Sequence, residues 1–95
     1  MLNGKQKRYL RGLANNIKPV VIIGKDGISR NLTDSLDDAL EAHELVKIKV
    51  LETCDIELNE IALDLSSITN SDIVQKIGRM IILFRRNQKE PKIQL

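Results

Sequence analysis

The chain has 95 residues, of which 42% are hydrophobic, 29% are charged and 2% are aromatic. That length and apolar content predict a single globular domain and exclude a disordered chain. One cysteine, Cys54, and one histidine, His43, exclude an internal disulfide and a zinc site of the usual ligand count.

The aromatic content also limits how the chain could bind nucleic acid. With Tyr9 and Phe84 as its aromatic side chains, it cannot build a platform for stacking bases. No apolar run approaches the length that crosses a bilayer, and the N-terminus lacks a secretory signal. The sequence therefore predicts a cytoplasmic protein with no membrane partner.

The net charge of +2 is distributed unevenly along the chain. Residues 1–30 hold seven basic and one acidic residue, a net charge of +6. Residues 31–72 hold two basic and eleven acidic residues, or −9, and residues 73–95 hold six basic and one acidic residue, or +5. A fold that joins the two ends would create a basic face able to attract a polyanion. The alternative is that these charges only solvate surface helices.

The first predicted element is a basic amphipathic helix over residues 3–16, which ends where asparagines adopt the left-handed cap conformation before Pro19. Apolar residues recur at helical spacing, and basic residues occupy the remaining surface. The apolar positions are Leu10, Leu13, Ala14 and Ile17, and the basic ones are Lys5, Lys7, Arg8 and Arg11. Residues 20–23, four β-branched residues before Gly24, predict a strand buried on both faces.

The central segment predicts two acidic helices separated by a strand. Ser29 is the expected N-cap of the first, and Thr53 or Asp55 that of the second, which runs to about Thr69. Between them, residues 45–51 alternate as a half-exposed strand does.

The end of the chain predicts a hairpin and a polar tail. Residues 73–77 and 80–84 flank Gly78-Arg79, which suits a tight turn. In the tail, residues 87–95, Ile93 and Leu95 are expected either to lie against the body or to add a marginal edge strand. The order α-β-α-β-α-β-β predicts an α/β (α+β) two-layer sandwich, with a four-stranded mixed sheet. Its strand–helix–strand crossovers predict right-handed parallel pairings, and its hairpin predicts an antiparallel pair.

Catalytic candidates are scarce. His43 ends a helix, where it suits the helix dipole better than a catalytic triad. Cys54 has no basic neighbour to activate it as a nucleophile, and the central acids lack EF-hand spacing. The sequence therefore predicts no enzyme, no metal, no cofactor and no small-molecule substrate.

The most informative motif is the GxxG loop, Gly24-Lys25-Asp26-Gly27, set between a strand and a helix. Its two glycines remove side-chain bulk and let peptide N–H groups near a helix N-terminus face phosphate oxygens. KH domains clamp a nucleic-acid backbone with such a loop and need no aromatic stacking. Glycines in a tight turn also have a purely steric explanation.

The surroundings of the loop favour the binding hypothesis. Lys18, Lys25 and Arg30 bracket it in the sequence, and the predicted hairpin adds Arg79 and Arg85. Asp26 argues against RNA binding by the loop, because a carboxylate at the tip repels phosphate. Binding then requires that Lys25 outweighs Asp26 or that Asp26 turns aside to cap the loop, for example at the amide of Ile28 or Ser29.

Five sequence blocks together resemble the CRM domain family, in particular the small YhbY-like bacterial RNA-binding proteins. They are residues 7–14 (KRYLRGLA), 18–21 (KPVV), 23–28 (IGKDGI) and 43–50 (HELVKIKV), and Ile77-Gly78-Arg79 before Leu83-Phe84-Arg85. The resemblance implies an α/β fold similar to the C-terminal domain of translation initiation factor three. It also implies binding of structured RNA through the GxxG loop and the basic helix, and association with large-subunit ribosomal precursors. Asp26 departs from the family, which often has Asn or a basic residue there.

The sequence thus predicts a non-enzymatic RNA-binding protein that acts in ribosome assembly, with ribosomal RNA and the pre-ribosomal large subunit as partners. The candidate RNA-binding residues are Gly24, Lys25, Asp26 and Gly27 in the loop and, around it, Lys5, Lys7, Arg8, Arg11, Lys18, Arg30, Arg79 and Arg85. The alternative is a protein-interaction module whose acidic helices dock a basic ribosomal or assembly protein.

Overall fold

The computed structural model describes residues 2–95 and contains three helices and four strands in the predicted order. They are α1 (Gly4–Ala14), β1 (Val21–Ile23), α2 (Arg30–His43), β2 (Leu45–Val50), α3 (Leu58–Thr69), β3 (Asp72–Ile77) and β4 (Met80–Phe84).

Helix α1 starts with a reciprocal pair of hydrogen bonds. The side chain of Asn3 accepts from the Gln6 amide at 2.8 Å, and the Gln6 side chain accepts from the Asn3 amide at 3.0 Å. At its other end Asn15 has φ −59°, so the predicted left-handed asparagine cap is wrong. Instead, the Asn16 amide donates to the Leu13 carbonyl and closes a turn.

The caps of the two acidic helices differ in how well they were predicted. Ser29 caps α2 as expected, since its hydroxyl accepts from the Leu32 amide at 3.1 Å. The N-cap of α3 is Glu57 and not Thr53 or Asp55, which lie in the preceding loop. The Cys54 amide donates to the Leu51 carbonyl there, and this turn delays the start of α3.

The strands are ordered β1-β2-β4-β3. β1 pairs with β2 in parallel, and β4 runs antiparallel to both β2 and β3. The second predicted parallel pairing, between β2 and β3, is wrong because β4 lies between them. Residues 81–84 are all buried, so β4 gains most from a central position, whereas the more polar β3 takes an edge.

Strand β1 is an edge strand and is buried on one face only. Val21 and Ile23 are buried, but Ile22 is 58% exposed, so the prediction of burial on both faces is wrong. A β-branched run alone does not reveal whether a helix covers each face.

Two apolar clusters lie on opposite faces of the sheet. One lies under α2 and α3 and includes Leu36, Ile48, Ile61 and Leu83. The other lies under α1 and consists of Leu10, Ala14, Leu45, Val74, Ile82 and Phe84. The predicted fold class, α+β with a four-stranded mixed sheet, is confirmed. The sheet is covered on both faces rather than one, so there are three layers where two were expected.

The C-terminal tail, residues 87–95, is held by one buried side chain. The Glu44 carboxylate accepts hydrogen bonds from the amides of Asn87 (2.7 Å), Lys92 (2.6 Å) and Ile93 (2.7 Å). Burial alone would raise the pKa of Glu44, but these three hydrogen bonds, with Arg86 nearby, outweigh burial and lower the pKa. Glu44 also adopts φ 65°, a costly conformation that these contacts hold in place.

Candidate nucleic-acid interface

The fold separates basic from acidic helices. Helix α1 carries four basic residues and no acidic ones, whereas α2 carries four acidic residues and one basic, and α3 carries two acidic residues. Because α1 lies on the opposite face of the sheet from α2 and α3, the molecule has a basic side and an acidic side. Such a charge distribution orients a polyanion towards the α1 side.

Two lysines of β2 extend the basic side, and the sequence analysis missed them as candidate contacts. Lys47 lies opposite Ile82, which belongs to the cluster under α1, and Lys49 lies opposite Met80. Paired residues of antiparallel strands share a face, so both lysines are on the α1 side. They are the only basic residues among positions 31–72, and grouping them with that acidic segment hid them. Because the two lysines are two positions apart in a predicted strand, the sequence already indicated that both lie on one face of the sheet.

The GxxG loop forms a tight turn between β1 and α2. The Gly27 amide donates to the Gly24 carbonyl at 3.0 Å, so this amide is used within the loop and is not free for a phosphate, contrary to the expectation for the loop amides. Lys25 and Asp26 are exposed at the tip. As the central residues of the turn, their amides lie outside its closing hydrogen bond.

The two glycines of the loop have different roles. Gly27 has φ 66°, and a Cβ there would lie 3.1 Å from Ile56 Cδ1, so the backbone itself requires glycine. At Gly24 a Cβ would meet Leu51 Cδ1 at 3.5 Å and Thr53 Oγ1 at 3.6 Å, which are ordinary contacts. Folding therefore does not require glycine at position 24.

Asp26 stays a charged group at the loop tip. Its carboxylate is exposed, and within residues 2–95 it accepts no hydrogen bond from the amide of Ile28 or Ser29. Of the two alternatives, capping is not observed, and the other, that Lys25 outweighs Asp26, stays a prediction. Its negative charge faces solvent beside Lys25.

Arg79 ties the hairpin turn to the end of β2. Its Nε donates to the Val50 carbonyl and its terminal nitrogen to the Leu51 carbonyl, both at 2.8 Å. The Leu51 amide in turn donates to the Ile23 carbonyl at 2.8 Å. Arg79 is thus close to the GxxG loop, as predicted, with part of its guanidinium already bound.

Arg85 does not belong to the basic side. Its guanidinium donates to the Asp37 carboxylate (2.5 Å), the Thr69 carbonyl (2.9 Å) and the Glu41 carboxylate (3.3 Å). Asp37 and Glu41 lie one helical turn apart on α2, so they form an acidic site at the end of β4. In this structure Arg85 joins β4 to α2 and α3, and its contact with RNA stays a prediction.

The other predicted basic residues keep solvent access. Lys5, Arg8 and Arg11 on α1 are exposed, as are Lys18, Lys25 and Arg30, whereas Lys7 is half-buried. They do not all meet at the loop. Helix α1 covers the start of β2 and the end of β4, and the loop follows β1 at the opposite end of the sheet. The six residues of β2 span about 17 Å between these two ends.

A model of the CRS1 / YhbY (CRM) domain matches residues 2–85. The chain belongs to this family. The predicted resemblance is therefore confirmed, and the match runs through α1, the GxxG loop and the whole sheet.

Two relatives and one solved structure match this CRM domain over nearly its whole length. It is 39% identical over 95 residues to "Probable RNA-binding protein YqeI" of Bacillus subtilis (strain 168), covering 100% of this chain and 99% of the relative. It is 38% identical to an "RNA-binding protein" of Haemophilus influenzae, covering 99% of this chain and 94% of the relative. The solution structure of SAV1595 from Staphylococcus aureus matches with a TM-score of 0.84 and 47% identity, over 100% of this chain and 99% of the other.

Membrane-spanning helices and clusters of metal-ligating side chains are both absent from residues 2–95. None of the helices in this range combines the length and apolar character needed to cross a membrane. Within the same range, His, Cys, Asp and Glu side chains form no group of three or more that could hold a metal ion. His43 is exposed at the end of α2 and Cys54 is buried.

Proposed function

We propose that this CRM domain is a non-enzymatic, cytoplasmic protein that binds structured RNA through its basic side, and that its target is ribosomal RNA in precursors of the large subunit. The observation that carries the proposal is the separation of charge across the sheet: α1 and the lysines of β2 lie opposite the acidic α2 and α3. The names of the relatives from B. subtilis and H. influenzae support RNA as the ligand.

Recognition in this proposal depends on phosphates and shape. Gly24 lets an RNA backbone approach the turn, Lys25 supplies a positive charge, and the exposed basic residues of α1 contact further phosphates. Tyr9 is 51% exposed but Phe84 is buried, so stacking contributes little. Affinity then comes chiefly from release of counterions.

The first test is a salt titration with a folded fragment of large-subunit ribosomal RNA, read by fluorescence anisotropy. We expect affinity to fall steeply with salt, and each neutralised α1 contact, such as Arg8→Gln, to reduce the slope by roughly one unit or less. Lys89→Gln in the exposed tail is the matched control. An affinity that does not respond to salt would contradict the proposal.

The ribosomal target needs a separate measurement in cells. Crosslinking of the tagged chain, followed by sequencing of the RNA attached to Lys25, identifies the ligand directly. We expect ribosomal RNA from fractions that sediment with large-subunit precursors. Enrichment of messenger or transfer RNA instead would leave RNA binding intact and refute the ribosomal target.

One observation favours the alternative, a protein-interaction module. Helix α3 exposes Leu63 (62%) and Ile68 (56%) beside Glu60 and Asp64, a surface suited to a basic protein. Reversing the charge of Asp64 to lysine separates the two candidates. It should spare RNA affinity under our proposal and abolish association with precursors under the alternative. Asp37 and Glu41 are unsuitable for this test because they bind Arg85.

A further inference from the structure

The sheet face that α1 covers is left open at its other half. One row of side chains crosses all four strands there: Ile22 on β1 is level with Lys49 on β2, Lys49 is paired with Met80 on β4, and Met80 with Ile77 on β3. We call Ile22, Lys49, Met80 and Ile77 the open row. Ile22 and Ile77 are 58% and 57% exposed, Lys49 is exposed and Met80 is half-buried.

The open row lies between the two parts of the proposed RNA site. The GxxG loop begins two residues after Ile22, and the Gly78-Arg79 turn directly joins Ile77 to Met80. Helix α1 covers the next positions along the sheet, including Ile82 and Leu45. An RNA that contacts both the loop and α1 therefore has to cross this row.

The chemistry of the row suits unpaired nucleotides. Lys49 and the neighbouring Lys47 can neutralise phosphates, and no carboxylate lies on the row. Ile22 and Ile77 offer apolar surface to a base or ribose, and a methionine such as Met80 adapts to irregular shapes. Three gaps between strands make the row about 14 Å wide, enough for a short run of chain. A duplex presents its phosphates outward and hides its base faces, so it gains little from the isoleucines.

A second copy of the protein fits this face less well. Two open rows packed against each other would bring Lys47 and Lys49 of one copy against those of the other, and like charges in contact repel. RNA removes that repulsion because its phosphates are negative.

From this placement, and resting on the proposed function, we propose that the open row is a second RNA-binding surface. It holds an unpaired segment that adjoins the structured element bound by the GxxG loop and α1.

The test compares an RNA hairpin that carries a single-stranded uridine overhang with the same hairpin lacking it. Ile22→Thr combined with Ile77→Thr keeps β-branched residues in both strands but removes apolar surface. We expect this pair to lower affinity for the overhang hairpin by about tenfold and to leave the blunt hairpin unchanged. Lys49→Gln should reduce the salt slope for the overhang hairpin by roughly one unit or less.

Matched controls come from the opposite face. Ile68→Thr changes an isoleucine of equal exposure on α3 (56%), and Lys76→Gln changes a lysine whose ammonium donates to Asn59 on the α3 side at 2.8 Å. Neither should affect either hairpin. Thermal melting of every variant confirms that the fold is kept.

The outcomes separate this inference from the proposed function. If Gly24→Ala weakens both hairpins while the open-row variants bind the overhang normally, RNA binding stands and the open row is refuted. If the paired isoleucine variant weakens both hairpins equally, the surface does not select unpaired RNA and the inference is also refuted. If neither set of variants changes any affinity, the open row is refuted and the loop is not part of the interface. If the unchanged protein binds neither hairpin at low salt, the proposed function itself fails. Conversion of a dimer to a monomer by the paired isoleucine variant, seen by sedimentation velocity, would assign the face to self-association and overturn the inference.

Discussion

Charged residues have protein partners at one end of the sheet and face solvent at the other. At the end where β4 finishes, Arg85 is bound by two carboxylates and Glu44 by three amides, so each charge is compensated inside the protein. At the end where β1 finishes, Lys25 and Asp26 face solvent and Lys49 lies exposed nearby. The role of a charged residue thus depends on its neighbours. Substitutions at the end where β4 finishes should change stability, and substitutions at the end where β1 finishes should change RNA affinity.

Removing the Glu44 carboxylate should have the largest effect. Glu44→Ala leaves three amides of the tail without an acceptor, and we expect a loss of about 3 kcal/mol in the free energy of unfolding, measured by urea denaturation. Glu44→Gly removes the same carboxylate but also relieves the strain of the positive φ. It should therefore be less destabilising than Glu44→Ala by roughly 1 kcal/mol. Equal losses for the two variants would show that φ 65° stores no strain.

The same carboxylate should make stability depend on pH. Because its pKa is lowered in the folded protein, Glu44 contributes stability that is fully present above its ordinary pKa of 4.5 and is lost as pH falls through the lowered value. We expect a smaller loss on acidification than on removal of the side chain. Glu44→Gln should flatten this part of the stability curve, and an unchanged curve would contradict the assignment.

Arg85 offers a sharp contrast with Lys25. Arg85→Met should cost about 1 kcal/mol of stability, because the Thr69 carbonyl loses its donor and the exposed Asp37 and Glu41 lose a solvent-screened partner, while RNA affinity stays unchanged. Lys25→Met should lower RNA affinity and leave stability unchanged. Arg86→Met, at the exposed neighbouring position, controls for the loss of positive charge alone. A fall in RNA affinity for Arg85→Met greater than for Arg86→Met would return Arg85 to the binding surface.

Substitutions of the two loop glycines should have different effects, one on stability and the other on RNA binding. Gly27→Ala should destabilise the fold by roughly 1 kcal/mol or more because of its positive φ. Gly24→Ala should keep stability within about 0.5 kcal/mol, since its Cβ meets only ordinary contacts, and should weaken RNA binding by hindering close approach. Normal RNA binding by Gly24→Ala would remove the loop from the interface.

Asp26→Asn should give the smallest effect. It removes a negative charge from the loop tip without changing size, so RNA affinity should rise about twofold to threefold at low salt and the gain should fade as salt screens the charge. Asp38→Asn on the acidic side is the matched control. No gain at low salt would mean that RNA passes the loop at a distance from Asp26.

Several local features of the fold could be predicted from the sequence, although the end of α1 and the N-cap of α3 were not among them. The order of elements, the Ser29 cap and the Gly78-Arg79 turn depend on residues a few positions apart, and all three were predicted. The insertion of β4 between β2 and β3 depends on which strand gains most from burial on two faces. The gain from burial has to be compared among all four strands, so it cannot be inferred from a local sequence pattern.

The candidate site shows the same division. The tight turn at Gly24 to Gly27 and the basic character of α1 follow from nearby residues. The binding of Arg85 to Asp37, 48 positions away, and the placement of Lys49 on the same face of the sheet as α1 follow only from the three-dimensional fold. Counting charge by segment placed Arg85 with the basic end and Lys49 with the acidic middle, and the fold reverses both assignments.

The contacts of Glu44 also bear on when the protein can finish folding. Its partners Lys92 and Ile93 follow it by 48 and 49 positions, beyond every strand of the sheet. During synthesis the whole sheet is therefore made before the buried carboxylate meets two of its three donors. The helices and sheet can form as the chain emerges, but Glu44 is fully compensated only once residues 92 and 93 have followed.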